Sequence, residues 1–207
     1  MDKASKKVTV DDVRKNFGVK DLPSEMNKGI MFFYGLFKLL KSDMLSYKNT
    51  TFDFDVFLPD YGINLQRPYV WEECQQVSFI ENIILEKPID EFIAVIEEDD
   101  FTKSNGNKVY KIIDGKQRLL TIHKFLHNEF PITVGGEKVY YDDFSNELKE
   151  FFEGRVNYFT GSVYYSDKIF DKLSDKTLIL IFNYYNFSGT PQTKEHKDML
   201  IGLLNKK

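Results

Sequence analysis

The strongest constraint on how this chain folds lies between residues 109 and 126, where the hydrophobic period changes abruptly. Residues 109–113 form an apolar, β-prone run, whereas residues 116–126 carry apolar side chains at helical spacing. Asp114 and Gly115 stand between the two patterns. The sequence therefore predicts a strand, a tight turn and a helix. Because Gly115 lets the backbone approach a ligand and the first amides of a helix have no intrahelical partner, this corner favours an anion.

Charged side chains surround the predicted turn. Asp114 supplies a carboxylate, while Lys116 and Arg118 add positive charge beside the first helical amides. A phosphate accompanied by a divalent ion suits this combination, since Mg²⁺ prefers carboxylate and phosphate oxygens. Charged turns between strands and helices are also common on protein surfaces, so residues 114–118 alone leave a solvated turn as the alternative.

A second constellation precedes the next predicted helix upstream, at residues 66–71. Arg67 can form two hydrogen bonds to a phosphate or a carboxylate, and Gln66 can both donate and accept. Trp71, the only tryptophan, can stack on a base or anchor the loop. The alternative is that Arg67 pairs with a neighbouring carboxylate and Trp71 belongs to the core.

A third constellation lies near the end of the chain, at residues 182–191. Asn186 and Gly189 stand where the C-terminus of a helix needs a left-handed residue. Capping alone would explain this segment.

Composition limits the class of protein. The 207 residues are 42% hydrophobic and include 19 Phe and 12 Tyr, which indicates a packed globular fold. The net charge of −4 means that a nucleic-acid partner would need a local basic surface. A single cysteine, Cys74, excludes an intramolecular disulfide framework, and no apolar segment is long enough to span a bilayer. We therefore expect a cytoplasmic protein that does not associate with membranes.

The patterns along the chain predict an α/β (α+β) fold in three segments. Residues 1–50 are expected to form an N-terminal arm with a helix over 29–41. Residues 51–130 are expected to form the core, and residues 131–207 a hairpin and helices that complete the same domain. The other predicted elements are strands at 51–58, 92–96 and 162–165, a hairpin over 131–141, and helices at 72–85, 144–152, 174–185 and 193–204.

Together the three constellations resemble the N-terminal domain of GmrSD-type modification-dependent restriction enzymes. That family is a branch of the ParB/sulfiredoxin-like superfamily and is usually recognised by a DGQQR motif. The resemblance extends from Asn64 to Leu204 and rests on the order Gln-Arg-Pro-x-x-Trp, Asp-Gly-x-Gln-Arg-Leu and Asn-x-x-Gly-Thr-Pro. Lys116 stands where the family commonly has Gln, and residues 183–185 lack a basic residue that relatives often carry.

The resemblance implies a ParB/sulfiredoxin-like core that binds a nucleoside triphosphate with Mg²⁺ and, as in several relatives, hydrolyses it. If a nucleotide binds, the expected catalytic residues are Asp114, which would hold a divalent ion or orient a water, Gln117, which would position the nucleophilic water, and Arg118. Trp71 is the candidate for base stacking or loop anchoring. The implied nucleotide- and phosphate-binding residues are Gln66, Arg67, Gly115, Lys116, Arg118, Thr121, Asn186, Gly189 and Thr190.

Three functions follow as hypotheses, all in a setting of phage infection or defence. The first is a nucleotide-binding and hydrolysing domain coupled to recognition or processing of DNA. The second is a metal-dependent DNA-nicking nuclease of the ParB-like type. The third is a non-catalytic regulator or anti-defence protein that binds a host protein. DNA is the expected partner in the first two, a separate nuclease or a host defence protein is a further candidate partner, and a homodimer is left open.

Overall fold

The computed structural model describes residues 26–32, 35–98, 108–166, 173–186 and 194–205. These residues form one six-stranded mixed sheet, two small two-stranded sheets and six α-helices. This arrangement confirms the predicted α+β class. No helix within these ranges is long and apolar enough to cross a membrane.

The helices and strands alternate along the chain. The strands are β1 (Met26–Phe32), β2 (Ser46–Tyr47), β3 (Thr50–Asp53), β4 (Phe57–Leu58), β5 (Ile63–Asn64), β6 (Phe92–Glu98), β7 (Lys108–Asp114), β8 (Ile132–Val134), β9 (Glu137–Val139) and β10 (Thr160–Ser166). The helices are α1 (Leu36–Lys41), α2 (Glu73–Ile84), α3 (Lys116–Leu126), α4 (Asn146–Asn157), α5 (Asp175–Asn186) and α6 (Lys194–Asn205), with a 3₁₀ turn at Tyr141–Asp143.

The large sheet has the strand order β1-β10-β6-β7-β3-β2. The pairs β10–β6 and β7–β3 are parallel, whereas β1–β10, β6–β7 and β3–β2 are antiparallel. Because β6 and β7 run in opposite directions, the start of β6 lies beside the end of β7. The turn at 114–115 and the start of α3 are therefore placed next to residues that immediately precede β6.

Helices cover both faces of this sheet. Side chains alternate along a strand, so Phe92 and Ala94 of β6 join one apolar cluster while Ile93 and Val95 join the other. The first cluster contains buried residues of α1 to α4, and the second those of α5 and α6. The end of β7 thus lies between two helical layers.

The helix predicted over 29–41 is wrong for its first part. Residues Met26–Phe32 form strand β1, which pairs with β10 along its whole length. A helix begins only at Leu36, after Gly35 adopts a left-handed conformation with φ of 92°. Pairing with an existing sheet edge overrides local helical spacing here, since propensity is a weak determinant against tertiary contacts.

The single strand predicted over 51–58 is also wrong, because it is interrupted. A carboxylate oxygen of Asp53 accepts hydrogen bonds from the backbone N–H groups of Asp55 and Val56, at 3.0 and 3.1 Å. Such Asx turns end regular structure, and the chain re-enters a strand only at Phe57. Elsewhere, helix α3 has the predicted bounds, and the helices predicted at 72–85, 174–185 and 193–204 differ by one residue at each end.

An aromatic cluster under α3 supports a test of the first apolar layer. Phe152 is fully buried and packs on Phe125, Tyr141 and Phe144, with ring centroids 5.7 to 6.3 Å apart. Phe152→Ala should lower the free energy of unfolding by about 3–5 kcal/mol through lost burial and a cavity. The neighbouring Phe151, which is 37% exposed, is the matched control, and its replacement by Ala should cost less than ~1 kcal/mol. Urea titration measures both, and equal losses would contradict this assignment of the core.

Candidate functional site

A β-bulge shapes the end of β7. The pairing of β6 with β7 passes from Ile93↔Asp114 directly to Ala94↔Ile112, which leaves Ile113 without a partner in β6. A bulged residue leaves the strand ladder, and its buried backbone groups then require other partners.

Two side-chain amides supply those partners. Nε2 of Gln66 donates to the carbonyl oxygens of Ile112 and Ile113 at 2.7 and 2.6 Å. Nδ2 of Asn186, at the end of α5, donates to the same Ile113 oxygen at 3.1 Å and to that of Phe182 at 3.1 Å. Two of the three constellations predicted from the sequence therefore meet at the backbone carbonyl of Ile113, which directly precedes the third, at residues 114–118.

Gln117 ties the 66–71 loop to the start of α3. Its Oε1 accepts from the backbone N–H groups of Val70 and Trp71 at 2.9 and 3.3 Å, and its Nε2 donates to the carbonyl of Pro68 at 3.1 Å. The indole of Trp71 packs edge-on against Phe79, with ring centroids 5.4 Å apart. These contacts place Gln117 and Trp71 as elements that hold the loop, and the water-positioning role of Gln117 stays a prediction.

Arg118 is engaged by neighbouring protein groups. Its Nη1 donates to the carbonyl of Asp90, and its Nη2 donates to the carbonyl of Glu91 at 3.1 Å and to Oδ2 of Asp114 at 2.9 Å. The side chain is 17% exposed. Arg118 thus joins the start of β6 to the end of β7.

The three motifs enclose a cavity of about 470 Å³, a size typical of small-molecule sites. All three constellations contribute to its walls. The predicted site residues that line it are Gln66, Arg67, Trp71, Asp114, Gly115, Lys116, Gln117, Arg118 and Asn186.

The floor of the cavity is the start of α3. Gly115 has a φ of +99°, and a Cβ atom at this position would lie 2.7 Å from Cβ of Phe92. Only glycine fits this close approach. Gly115 also provides no side-chain cap, so the backbone N–H groups of Lys116, Gln117 and Arg118 have no partner among the described residues.

The cations of the cavity differ in how they are partnered. Nζ of Lys116 lies 3.0 Å from Oδ1 of Asp55, and its side chain is 7% exposed. Arg118 is bonded to backbone carbonyls before β6 and to Asp114. Arg67 lines the cavity and forms no hydrogen bond or ion pair with any residue that the structure describes. Arg67 is therefore the lining cation that is available to an anion without breaking a contact.

Sequence reasoning missed two acidic residues of the site. Asp90 and Glu91 line the cavity just before β6, and Oε2 of Glu91 accepts from the buried Oγ of Ser162 at 2.6 Å. The antiparallel pairing of β6 with β7 brings them to the 114–118 turn, and no local sequence pattern predicts that pairing.

Tyr185 was missed for a similar reason. It lines the cavity from the last turn of α5, directly before Asn186. Its hydroxyl is hydrogen-bonded to that of Tyr164 and accepts from Nζ of Lys28 at 3.3 Å. Burial, together with the bond to Tyr185, raises the pKa of Tyr164 above its usual value. The signal in the sequence was its position beside Asn186.

Thr121 is the one remaining predicted site residue that the structure describes. Thr121 does not line the cavity, because its buried hydroxyl donates to the carbonyl of Gln117 at 2.8 Å and lies 2.8 Å from the hydroxyl of Tyr69. Burial raises the pKa of that tyrosine. Gly189 and Thr190 fall outside the described residues.

Comparison with known protein families matches residues 42–200 to the family described as GmrSD restriction endonuclease, N-terminal domain. No curated protein and no solved structure matches the chain.

The shared Ile113 carbonyl provides one test. Gln66→Leu should lower the free energy of unfolding by about 2–3 kcal/mol, because it removes one hydrogen-bond donor from each of two buried carbonyls and leaves only Asn186 on that of Ile113. Asn186→Leu should couple to it in a double-mutant cycle, since both amides bond to one oxygen. Asn64→Leu at an exposed position of β5 is the control, with an expected change below ~0.5 kcal/mol. Strict additivity of the first two changes, measured by urea titration, would contradict a shared acceptor.

The floor of the cavity provides a second test. Gly136 has a φ of +90° with nothing within 4 Å of an added Cβ, so it matches Gly115 in backbone conformation but not in crowding. Gly136→Ala should cost about 1–2 kcal/mol of stability from left-handed strain alone. Gly115→Ala should cost about 3 kcal/mol or more, because Phe92 must also move. Equal denaturation midpoints for the two variants would refute the close approach of β6 to this turn.

Proposed function

We propose a function for this chain from the fact that it belongs to the GmrSD restriction endonuclease N-terminal domain family. Family membership gives it a role in restriction-related processing of DNA. Within that role, we propose that the cavity at the end of β7 binds a nucleoside triphosphate with Mg²⁺ and hydrolyses it.

The proposal rests on one juxtaposition, that of Arg67 with the uncapped helix start that forms the floor of the cavity. Arg67 has no partner among the described residues, and the first amides of α3 have none either. Helix N-termini carry partial positive charge and free donors, and a guanidinium can bind phosphate through two hydrogen bonds. A triphosphate satisfies both groups at once.

Lys116 and Arg118 support this arrangement in different ways. Lys116 lines the cavity, and its ammonium forms an ion pair with Asp55, whose side chain is 70% exposed. Such a solvent-facing partner competes weakly, so Lys116 can add its charge to the phosphate site. Arg118 instead keeps the turn and the start of β6 together.

The residues present also fit a magnesium ion carried by the nucleotide. Mg²⁺ bound with a nucleotide needs only one or two protein carboxylates, because phosphate oxygens and water fill the other positions. Among the described residues no group of three His, Cys, Asp or Glu side chains could hold a metal, so the ion would depend on the phosphates. Asp114 lines the cavity and uses Oδ2 for Arg118, which leaves Oδ1 for the ion. When bound, the ion would neutralise charge that develops on the phosphate oxygens.

Hydrolysis requires a water aligned with the terminal phosphate. The second N–H of the Gln117 amide keeps spare hydrogen-bonding capacity, because Nε2 makes one bond, to the carbonyl of Pro68. We assign the positioning of that water to Gln117, and we propose that the state of the nucleotide controls processing of DNA.

A binding panel tests this proposal. Wild-type protein should be stabilised against heat by at least one of ATP, GTP, CTP and UTP with Mg²⁺, since a ligand that binds only the folded state raises the melting temperature. Arg67→Ala should weaken that nucleotide at least tenfold, because it removes the unpaired guanidinium, and should leave the melting temperature of the ligand-free protein within ~2 °C. Lys138→Ala on β9, which removes the same charge from an exposed position, should change neither.

Two other results would select the other hypotheses. Absence of stabilisation by all four nucleotides, or undiminished binding by Arg67→Ala, contradicts the nucleotide proposal. Metal-dependent nicking of DNA that is abolished by Asp114→Asn and needs no nucleotide supports the nuclease. Neither response, with a host protein that co-purifies in a fixed ratio, supports the regulator.

A further inference from the structure

We infer that Tyr185 forms the wall on which the base of the bound nucleotide stacks, an inference that rests on the nucleotide function proposed above. Tyr185 lines the cavity from the end of α5, one residue before the amide that holds Ile113. It is partly buried and packs against the apolar cluster that contains Ile93, which also lines the cavity. The two side chains therefore supply apolar surface on the α5 side of a site whose other walls are largely polar.

The ring of Tyr185 is held in place before any ligand binds. Its hydroxyl is engaged by Tyr164 and Lys28, so the polar end of the side chain is already satisfied. Its ring lies 5.9 Å from that of Tyr164 and 5.0 Å from that of Tyr184, between centroids. A ring fixed in this way loses little conformational entropy when a planar group stacks on it.

Charge then decides which end of the nucleotide meets Tyr185. Arg67 and the start of α3 form the positive part of the cavity, whereas Asp90 and Glu91 bring carboxylates to its wall at the start of β6. Oε2 of Glu91 accepts from Oγ of Ser162, the residue of β10 that pairs with Ile93, so this carboxylate lies near Ile93. The carboxylate repels phosphate from the part of the wall formed by Ile93, and Lys28, the cation beside Tyr185, is bonded to the tyrosine hydroxyl. The uncharged base is the part of the ligand that this wall accepts.

Two variants and two ligands test the inference. Tyr185→Leu removes the ring, whereas Tyr185→Phe keeps the ring and removes only the hydroxyl contacts. The ligands are the tightest-binding nucleotide of the four-member panel and tripolyphosphate, each with Mg²⁺, so that the second ligand has the phosphates without a base. The fluorescence of Trp71, the single tryptophan, reports binding because this residue lines the cavity.

The expected result is a selective loss. Base stacking on an aromatic side chain should make Tyr185→Leu bind the nucleotide at least about tenfold more weakly. Tyr185→Phe should stay within threefold of wild type, and tripolyphosphate should bind all three proteins equally. Tyr158→Leu, at a tyrosine that is 73% exposed, should bind both ligands as wild type does.

Three results would overturn the inference while leaving the nucleotide function intact. They are equal nucleotide affinity in wild type and Tyr185→Leu, equal weakening in the Leu and Phe variants, and parallel weakening of nucleotide and tripolyphosphate. A wild-type protein that binds no nucleotide overturns the proposed function together with this inference. Thermal unfolding of each ligand-free variant separates a lost contact from a lost fold.

Discussion

The carbonyl oxygen of Ile113 is the point on which the rest of this site depends. A bulge removes it from the ladder between β6 and β7, and the amides of Gln66 and Asn186 both bond to it. An unpaired carbonyl in a largely buried position costs about 1–3 kcal/mol, so the bulge and the two amides stabilise one another. The loop from one part of the chain and the helix from another are thereby located at the end of β7.

Two arginines illustrate how partners, and not residue type, assign a role. Arg118 donates hydrogen bonds to two backbone carbonyls and to Asp114, and these bonds hold the start of β6 to the end of β7. Arg67 lines the same cavity without a partner among the described residues. Since a guanidinium without such a partner can bind an anion without first breaking a contact, the nucleotide proposal depends mainly on Arg67.

The fold also brings acidic and basic residues together around the cavity. Antiparallel pairing of β6 with β7 brings Asp90 and Glu91 to a turn that is otherwise rich in positive charge. Tyr185 arrives from the opposite layer of helices, on the end of α5. We propose a ligand that is anionic at one end and planar at the other because such a ligand can contact both parts of the cavity.

The sequence alone determined the elements whose signals are local. The bounds of α3, the tight turn at Gly115 and the grouping of three polar motifs follow from periodicity, turn chemistry and family resemblance. Tertiary structure decided what those residues touch. Strand β1 forms within a segment whose spacing predicts a helix, because pairing with a sheet edge supplies more hydrogen bonds than a short isolated helix can keep. Strand pairing across long sequence separations decides which arginine has no partner among the described residues, and which acidic and aromatic side chains share its cavity. No local pattern encodes that choice.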